Sequence, residues 1–135
     1  MRTKSVRPEK TKFEYLLNIS NQFDNLKGLD YILFDFQTTK EFVTYEYIIS
    51  VIVKHSPEKK NLIFKIEGLS APIVSFSNSG NAGFQYKLFE NPKSDYEITF
   101  VNNKRVKNIF TIRLDKDDLR IKKSPSGKFI NITIN

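Results

Sequence analysis

The sequence contains no cysteine and no tryptophan, and it has one histidine, one methionine, five glycines and five prolines in 135 residues. Without cysteine there is no disulfide framework, no thiolate metal site and no cysteine nucleophile. The lone histidine, His55, lies in the charged turn "HSPEKKN". One imidazole makes no His/Cys/carboxylate cluster of metal-ligand spacing. A Ser-His-Asp arrangement needs an imidazole held beside a nucleophile, and nothing in the sequence fixes this one. Long apolar runs are missing too. The longest, "YIISVIV" (Tyr47 to Val53), is strand-length, far short of the ~20 residues of a membrane-spanning helix. After the basic start, Glu14 and Asn18 interrupt the apolar positions, so no signal-peptide core is expected. A soluble, cytoplasmic protein without a cofactor is expected.

What the chain does have is core material. It is 39% hydrophobic, with 12 Phe and 6 Tyr, a composition that disordered chains do not carry. Its length suits one domain able to bury roughly two-thirds of its unfolded surface. The net charge of +7 is uneven. Residues 1–12 hold five basic side chains against Glu9, residues 13–103 hold eight against eleven acids, and residues 104–135 hold nine against three. Basic ends can mark a nucleic-acid or other polyanionic partner. Yet 17 Lys stand against 5 Arg, whereas phosphate recognition favours the bidentate guanidinium. An abundance of Lys, Asn, Ile, Phe and Tyr, 62 residues together, also follows from A/T-rich codons alone.

The dominant periodicity is two. In "EFVTYEYIISVIVK" the residues Val43, Tyr45, Tyr47, Ile49, Val51 and Val53 share one face, with Phe42, Ile48 and Ile52 among polar residues on the other, and "LIFKIEG" places Leu62, Phe64 and Ile66 on one side. Short strands follow in "FQYKLF", "YEITFV", "VKNIFTIRL", "DLRIKK" and "FINITI", separated by "ENPKSD", "NNKR", "DKD" and "SPSG". Such spacing with ordinary turn chemistry predicts an all-β, single-domain antiparallel β-sandwich of immunoglobulin-like type, with a closed β-barrel as the alternative. Residues 1–12 are expected to form a flexible basic N-terminal arm and 13–135 the folded domain. The segment from Phe13 is ambiguous. Phe13, Leu16, Leu17, Phe23 and Leu26 approximate a helix face that Gly28 would cap, while Phe13, Tyr15, Leu17 and Ile19 alternate as a strand. The strand is preferred to about Ile19, then a turn or short helix, then a second strand from Asp30 to Gln37.

Candidate sites are few. "SNSGNAGF" (Ser77 to Phe84) lacks the Lys-Ser/Thr of a phosphate loop and leads into a strand. It reads as a turn in which Gly80 and Gly83 supply positive φ. "DKDD" (Asp115 to Asp118) lacks the Gly and Glu of a calcium loop and reads as a charged hairpin turn. Asp35, Glu46, Glu67 and Glu97 sit in strands, where acids ordinarily face water. Strand parity offers one constellation. With Phe110, Ile112 and Leu114 inward, Lys107 and Arg113 point outward, and Arg120 and Lys122 join them from the next strand. If the last strand were adjacent, Phe129 would join that face and give stacked bases a platform. The expected function is a non-catalytic protein-interaction module, acting through loops or a sheet edge. Nucleic-acid or polyanion binding through Lys107, Arg113, Arg120, Lys122 and Phe129 is one alternative, and a small apolar ligand held in a β-barrel is another.

Overall fold

The computed structural model describes residues 14–42, 48–70 and 80–135. The expected basic arm, 1–12, and parts of the "EFVTYEYIISVIVK" and "SNSGNAGF" stretches lie outside them. Strands β1 (Tyr15–Asp24) and β2 (Leu29–Phe42) form a hairpin, as do β3 (Ile48–Ser56) and β4 (Asn61–Ser70). After β5 (Gly80–Leu88) come β6 (Ser94–Val101), β7 (Lys107–Leu114), β8 (Arg120–Lys123) and β9 (Ile130–Ile134). The hydrogen-bonded order is β8-β7-β6-β4-β3-β5-β2-β1-β9. Its midpoint, β3 beside β5, rests on the single pairing of Ile48 with Gly83. There the order folds into two mixed layers that pack face to face: β9-β1-β2-β5 (layer one) and β3-β4-β6-β7-β8 (layer two).

The molecule is therefore a β-sandwich and not a closed barrel: among the described residues, β8 and β9 end the order without pairing with each other. Five of the eight neighbouring pairs are antiparallel. The pairs β1·β9, β3·β5 and β4·β6 are parallel. Each parallel pair joins strands that arrive by crossing between layers, where no tight hairpin forces antiparallel entry.

Alternation builds the core. Ile32, Phe34 and Phe36 on β2 meet Leu62, Phe64 and Ile66 on β4, Tyr96, Ile98 and Phe100 on β6, and Phe110, Ile112 and Leu114 on β7, all buried. Phe64 lies at the centre of an aromatic group. Its ring centroid is 5.4 Å from Phe34, 5.0 Å from Phe36, 5.6 Å from Tyr86, and 5.5 Å from a nearly parallel Phe100. The ambiguous N-terminal segment is strand as far as Asp24, with no helix. Leu17 and Ile19 are buried on the core side, and the outward Asn and Ser positions are harmless to an extended chain.

The turn joining β7 to β8 ties the layers together at the end where the β1–β2 hairpin also turns. The Lys116 ammonium donates to the backbone carbonyls of Asp30 (2.8 Å) and Phe89 (3.1 Å) in layer one. The Lys116 N–H donates to Asn91 Oδ1 (3.0 Å), and its carbonyl accepts from Asn21 Nδ2 (3.1 Å). Charge-assisted bonds of this kind are stronger than neutral ones, though partial exposure discounts them. Lys116→Met keeps the stem and removes both bonds to the carbonyls. It is expected to cost about 1–2 kcal/mol in urea unfolding, with an unchanged denaturant slope.

Candidate functional site

The expected basic face exists in part. Lys107, Arg113, Arg120 and Lys122 all lie on the outward side of layer two, and Arg113 stands opposite Arg120 in the β7·β8 ladder. Lys107, six residues along β7, is roughly 20 Å away at 3.3 Å per residue. It faces Val101 instead. Phe129 does not belong to the face. The crossover after β8 carries the chain into layer one, where β9 runs parallel to β1. Phe129 is buried edge-on against Tyr15, with ring centroids 6.4 Å apart. Its N–H donates to Asn108 Oδ1 at 2.8 Å.

The cations that do assemble meet carboxylates. Arg113 lies 3.6 Å from Asp95, 3.6 Å from Asp115 and 3.9 Å from Asp118. Arg120 reaches Asp118 at 3.4 Å, and Lys122 reaches Asp95 at 3.3 Å. Three cations thus face three acids, and the local charge is close to neutral. Desolvation pulls the Asp95 carboxyl upward, but Lys122 and then Arg113 outweigh it and hold the group below the usual carboxylate range. Solvent screening leaves each such exposed pair with little weight in stability. A phosphate arriving here competes with the protein's own acids. The edge strand β8 carries Lys122 as an extra residue between Ile121 and Lys123, since the register shifts there. A lysine at a bulge on a short edge strand discourages sheet-to-sheet pairing.

The other motifs resolve into structure. Gly83 lies within β5 opposite Gln37 in the ladder, without the positive φ expected of it. The positive-φ glycines among the described residues include Gly28, at the β1–β2 turn, and Gly127, just before β9. The "DKDD" stretch is a turn: the Asp118 N–H donates to the Asp115 carbonyl, and the Asp117 N–H to its carboxylate. His55 is better fixed than its sequence neighbours suggest. Its Nε2 lies 3.0 Å from the Tyr96 hydroxyl, with rings 5.6 Å apart. Burial, with Glu90 adding to it, pushes the Tyr96 phenol up. No group of three or more His, Cys, Asp or Glu among the described residues could hold a metal ion. A shallow surface depression of about 210 Å³ is lined by Lys65, Ile66, Glu67, Asn102, Asn103 and Arg105. Between the layers, the Phe64 ring lies against those of Phe34, Phe36, Tyr86 and Phe100.

A feature the sequence reading missed lies at the β1–β2 turn. Leu26 is 99% exposed there, and Phe23 (56%) and Leu29 (51%) flank it. The turn is well held. Asp24 Oδ1 accepts the N–H groups of Leu26 (2.9 Å) and Lys27 (3.1 Å), and its carbonyl accepts the Gly28 N–H (2.7 Å). The Lys27 N–H foremost, against some desolvation, and then the Leu26 N–H hold the Asp24 carboxyl below its ordinary range. Lys27 also sits 4.1 Å above the Phe89 ring. "DNLKG" could have revealed this tip, because an Asp four residues before a left-handed Gly outlines a capped turn with a leucine inside it.

The sandwich with this surface defines the class of protein, and comparison adds nothing narrower: no family model, curated protein or solved structure matches the chain. No helix among the described residues is long and apolar enough to cross a membrane.

Proposed function

We propose that the protein is a non-catalytic interaction module that presents the β1–β2 hairpin tip to an apolar pocket on another polypeptide. The carrying observation is the fully exposed Leu26 on a turn fixed by three hydrogen bonds. A large apolar side chain left in water forgoes about 1.5–3 kcal/mol that burial would return. A rigid turn loses little further conformational freedom on docking, so most of that free energy goes into affinity. Phe23 and Leu29 widen the anchor, and Asp24 and Lys27 supply a polar rim of both signs, the usual anatomy of a binding centre.

The test is affinity capture from the source cells with the wild-type protein and with Leu26→Ser, a change that touches no core residue. The reading predicts a discrete polypeptide retained by the wild type and bound roughly tenfold or more weakly by the variant, with equal melting temperatures. Identical capture by both proteins overturns it.

A further inference from the structure

The net charge of +7 is not spread evenly over the sandwich. At the hairpin-tip end, in segments 24–30, 54–61, 87–97 and 113–122, ten cations face nine acids. At the opposite end the pairings Tyr15–Thr38, Tyr15–Ile130, Lys65–Val101 and Val101–Lys107 gather segments 14–16, 37–42, 65–70, 100–108 and 123–130. Those segments hold seven cations and three acids. The folded chain also begins here, where the Glu14 N–H donates to the Phe129 carbonyl at 2.7 Å. Residues 1–12, with five cations and one acid, are thereby attached to the same end. A/T-rich codons raise lysine everywhere, but they do not sort it to one end of a fold. We propose that this end of the sandwich binds the phosphate backbone of a nucleic-acid duplex.

The cations are available to a ligand. Among the described residues Lys65, Lys104, Arg105, Lys107, Lys123 and Lys128 make no salt bridge, whereas Arg113, Arg120 and Lys122 are each tied to carboxylates. Lys65 and Lys107 flank Val101 in adjacent ladders, a row about 10 Å long at ~4.8 Å per strand. Each strand of a duplex carries a phosphate every ~3.4 Å along the axis, so the row matches about three of them.

The turn beside that row is held in one shape. Asn102, buried, accepts the N–H groups of Lys104 (3.0 Å) and Val106 (2.9 Å) on Oδ1 and that of Arg105 (2.9 Å) on its carbonyl. Its Nδ2 donates to Glu14 Oε1 at 3.2 Å. Arg105 sits at φ 67°, a left-handed conformation that a residue other than glycine keeps only where its surroundings enforce it. Arg105, Lys65 and Asn103 line the recess of about 210 Å³, and Glu67 is the one acid among its lining residues. A guanidinium and an ammonium fixed around a recess suit a phosphate group.

A duplex backbone fits this end better than other polyanions do. Single-strand binding rests on rings that stack against bases, and among the described residues this end exposes no aromatic ring. Docking on an anionic membrane couples cations to a bulky apolar anchor. The exposed Phe23, Leu26 and Leu29 lie at the far end, roughly 30 Å away along the ten residues of β1. Here Leu16 faces out of layer one, away from Val106 and Ile109 on layer two.

The experiment is fluorescence anisotropy of labelled 20-base-pair DNA and RNA duplexes, titrated with the full chain between about 50 and 200 mM NaCl. The proposal predicts binding that weakens roughly hundredfold or more across that range, the dependence of about four phosphate contacts. Lys104→Gln combined with Arg105→Asn, asparagine tolerating the left-handed backbone, is expected to lower the log–log salt slope by about two. Its affinity at about 100 mM falls roughly tenfold or more. Lys65→Gln combined with Lys107→Gln, outside the turn, has the same effect, so the reading stays testable even where the turn variant misfolds. Arg120→Gln combined with Lys122→Gln removes cations already paired with acids and leaves slope and affinity unchanged. Failure to bind either duplex at about 50 mM overturns the proposal, as does binding indifferent to both the turn and the row variants. Binding to phosphatidylserine–phosphatidylcholine vesicles without binding to duplexes also overturns it, and assigns this end to a membrane surface. Leu26→Ser is expected to bind the duplex as the wild type does, so the tip reading and this one fail separately.

Discussion

Phe64→Ala is expected to cost about 3–5 kcal/mol of folding stability, the range for large aromatic truncations in a core that cannot collapse around the void. Phe64 is fully buried and meets four aromatic neighbours: Phe34 and Phe36 on β2, Tyr86 on β5, and Phe100 on β6. It therefore bridges the two layers. Removing its ring takes away the transfer free energy of the side chain together with the offset and edge-to-face contacts, each worth about 0.5–1.5 kcal/mol beyond area. The surrounding strands are pinned by ladders on both sides, so relaxation into the cavity is limited. Against a typical total of 5–15 kcal/mol, the loss is large. The melting temperature should fall by on the order of 10–15 °C. Differential scanning calorimetry checks it, and a fall of only a few degrees would mean that the layers do not meet through this ring.

Asn108→Ala is expected to cost about 2–3 kcal/mol, unusually much for a small polar side chain. Asn108 is 2% exposed on β7. Its Oδ1 accepts the Phe129 N–H at 2.8 Å, and its Nδ2 donates to the carbonyls of Lys107 (3.1 Å) and Gly127 (3.5 Å). These bonds hold the segment that leaves β8 and enters β9, where no ladder links the two layers. Alanine strands the Phe129 N–H in a buried position, at about 1–3 kcal/mol, and opens a small void beside it. The effect should be local as well as global. Amide exchange at Phe129 and Ile130 is expected to accelerate far more than exchange in β4 or β6. Uniform acceleration across all strands would show that Asn108 is only one contact among many.

Much of this architecture was legible in the residues, and the reason is parity. Burial on one side of an extended chain forces alternation. Phe110, Ile112 and Leu114, or Leu62, Phe64 and Ile66, could therefore be assigned to the interior without knowing what they touch. Short turns also fixed neighbours, so Arg113 beside Arg120 was readable. Strand placement after a crossover was not. Nothing local says whether β9 continues layer two or returns to β1, and that one ambiguity misplaced Phe129 on the surface. The basic patch misled for a related reason. Parity showed its cations, but the carboxylate of Asp95 enters through the β6·β7 register, and those of Asp115 and Asp118 through the fold of a turn. Leu26 was hidden by averaging, because a leucine scores as core material until the turn that lifts it into water is known.

The central claim is that recognition occurs at the hairpin tip, and site-specific photo-crosslinking tests it most directly. A photoreactive analogue of leucine is placed at position 26 in living cells, with position 54 on the outer face of layer two as the comparison. The account predicts one discrete, saturable adduct from position 26 and only diffuse, weak products from position 54. Indistinguishable adduct patterns at the two positions would contradict it.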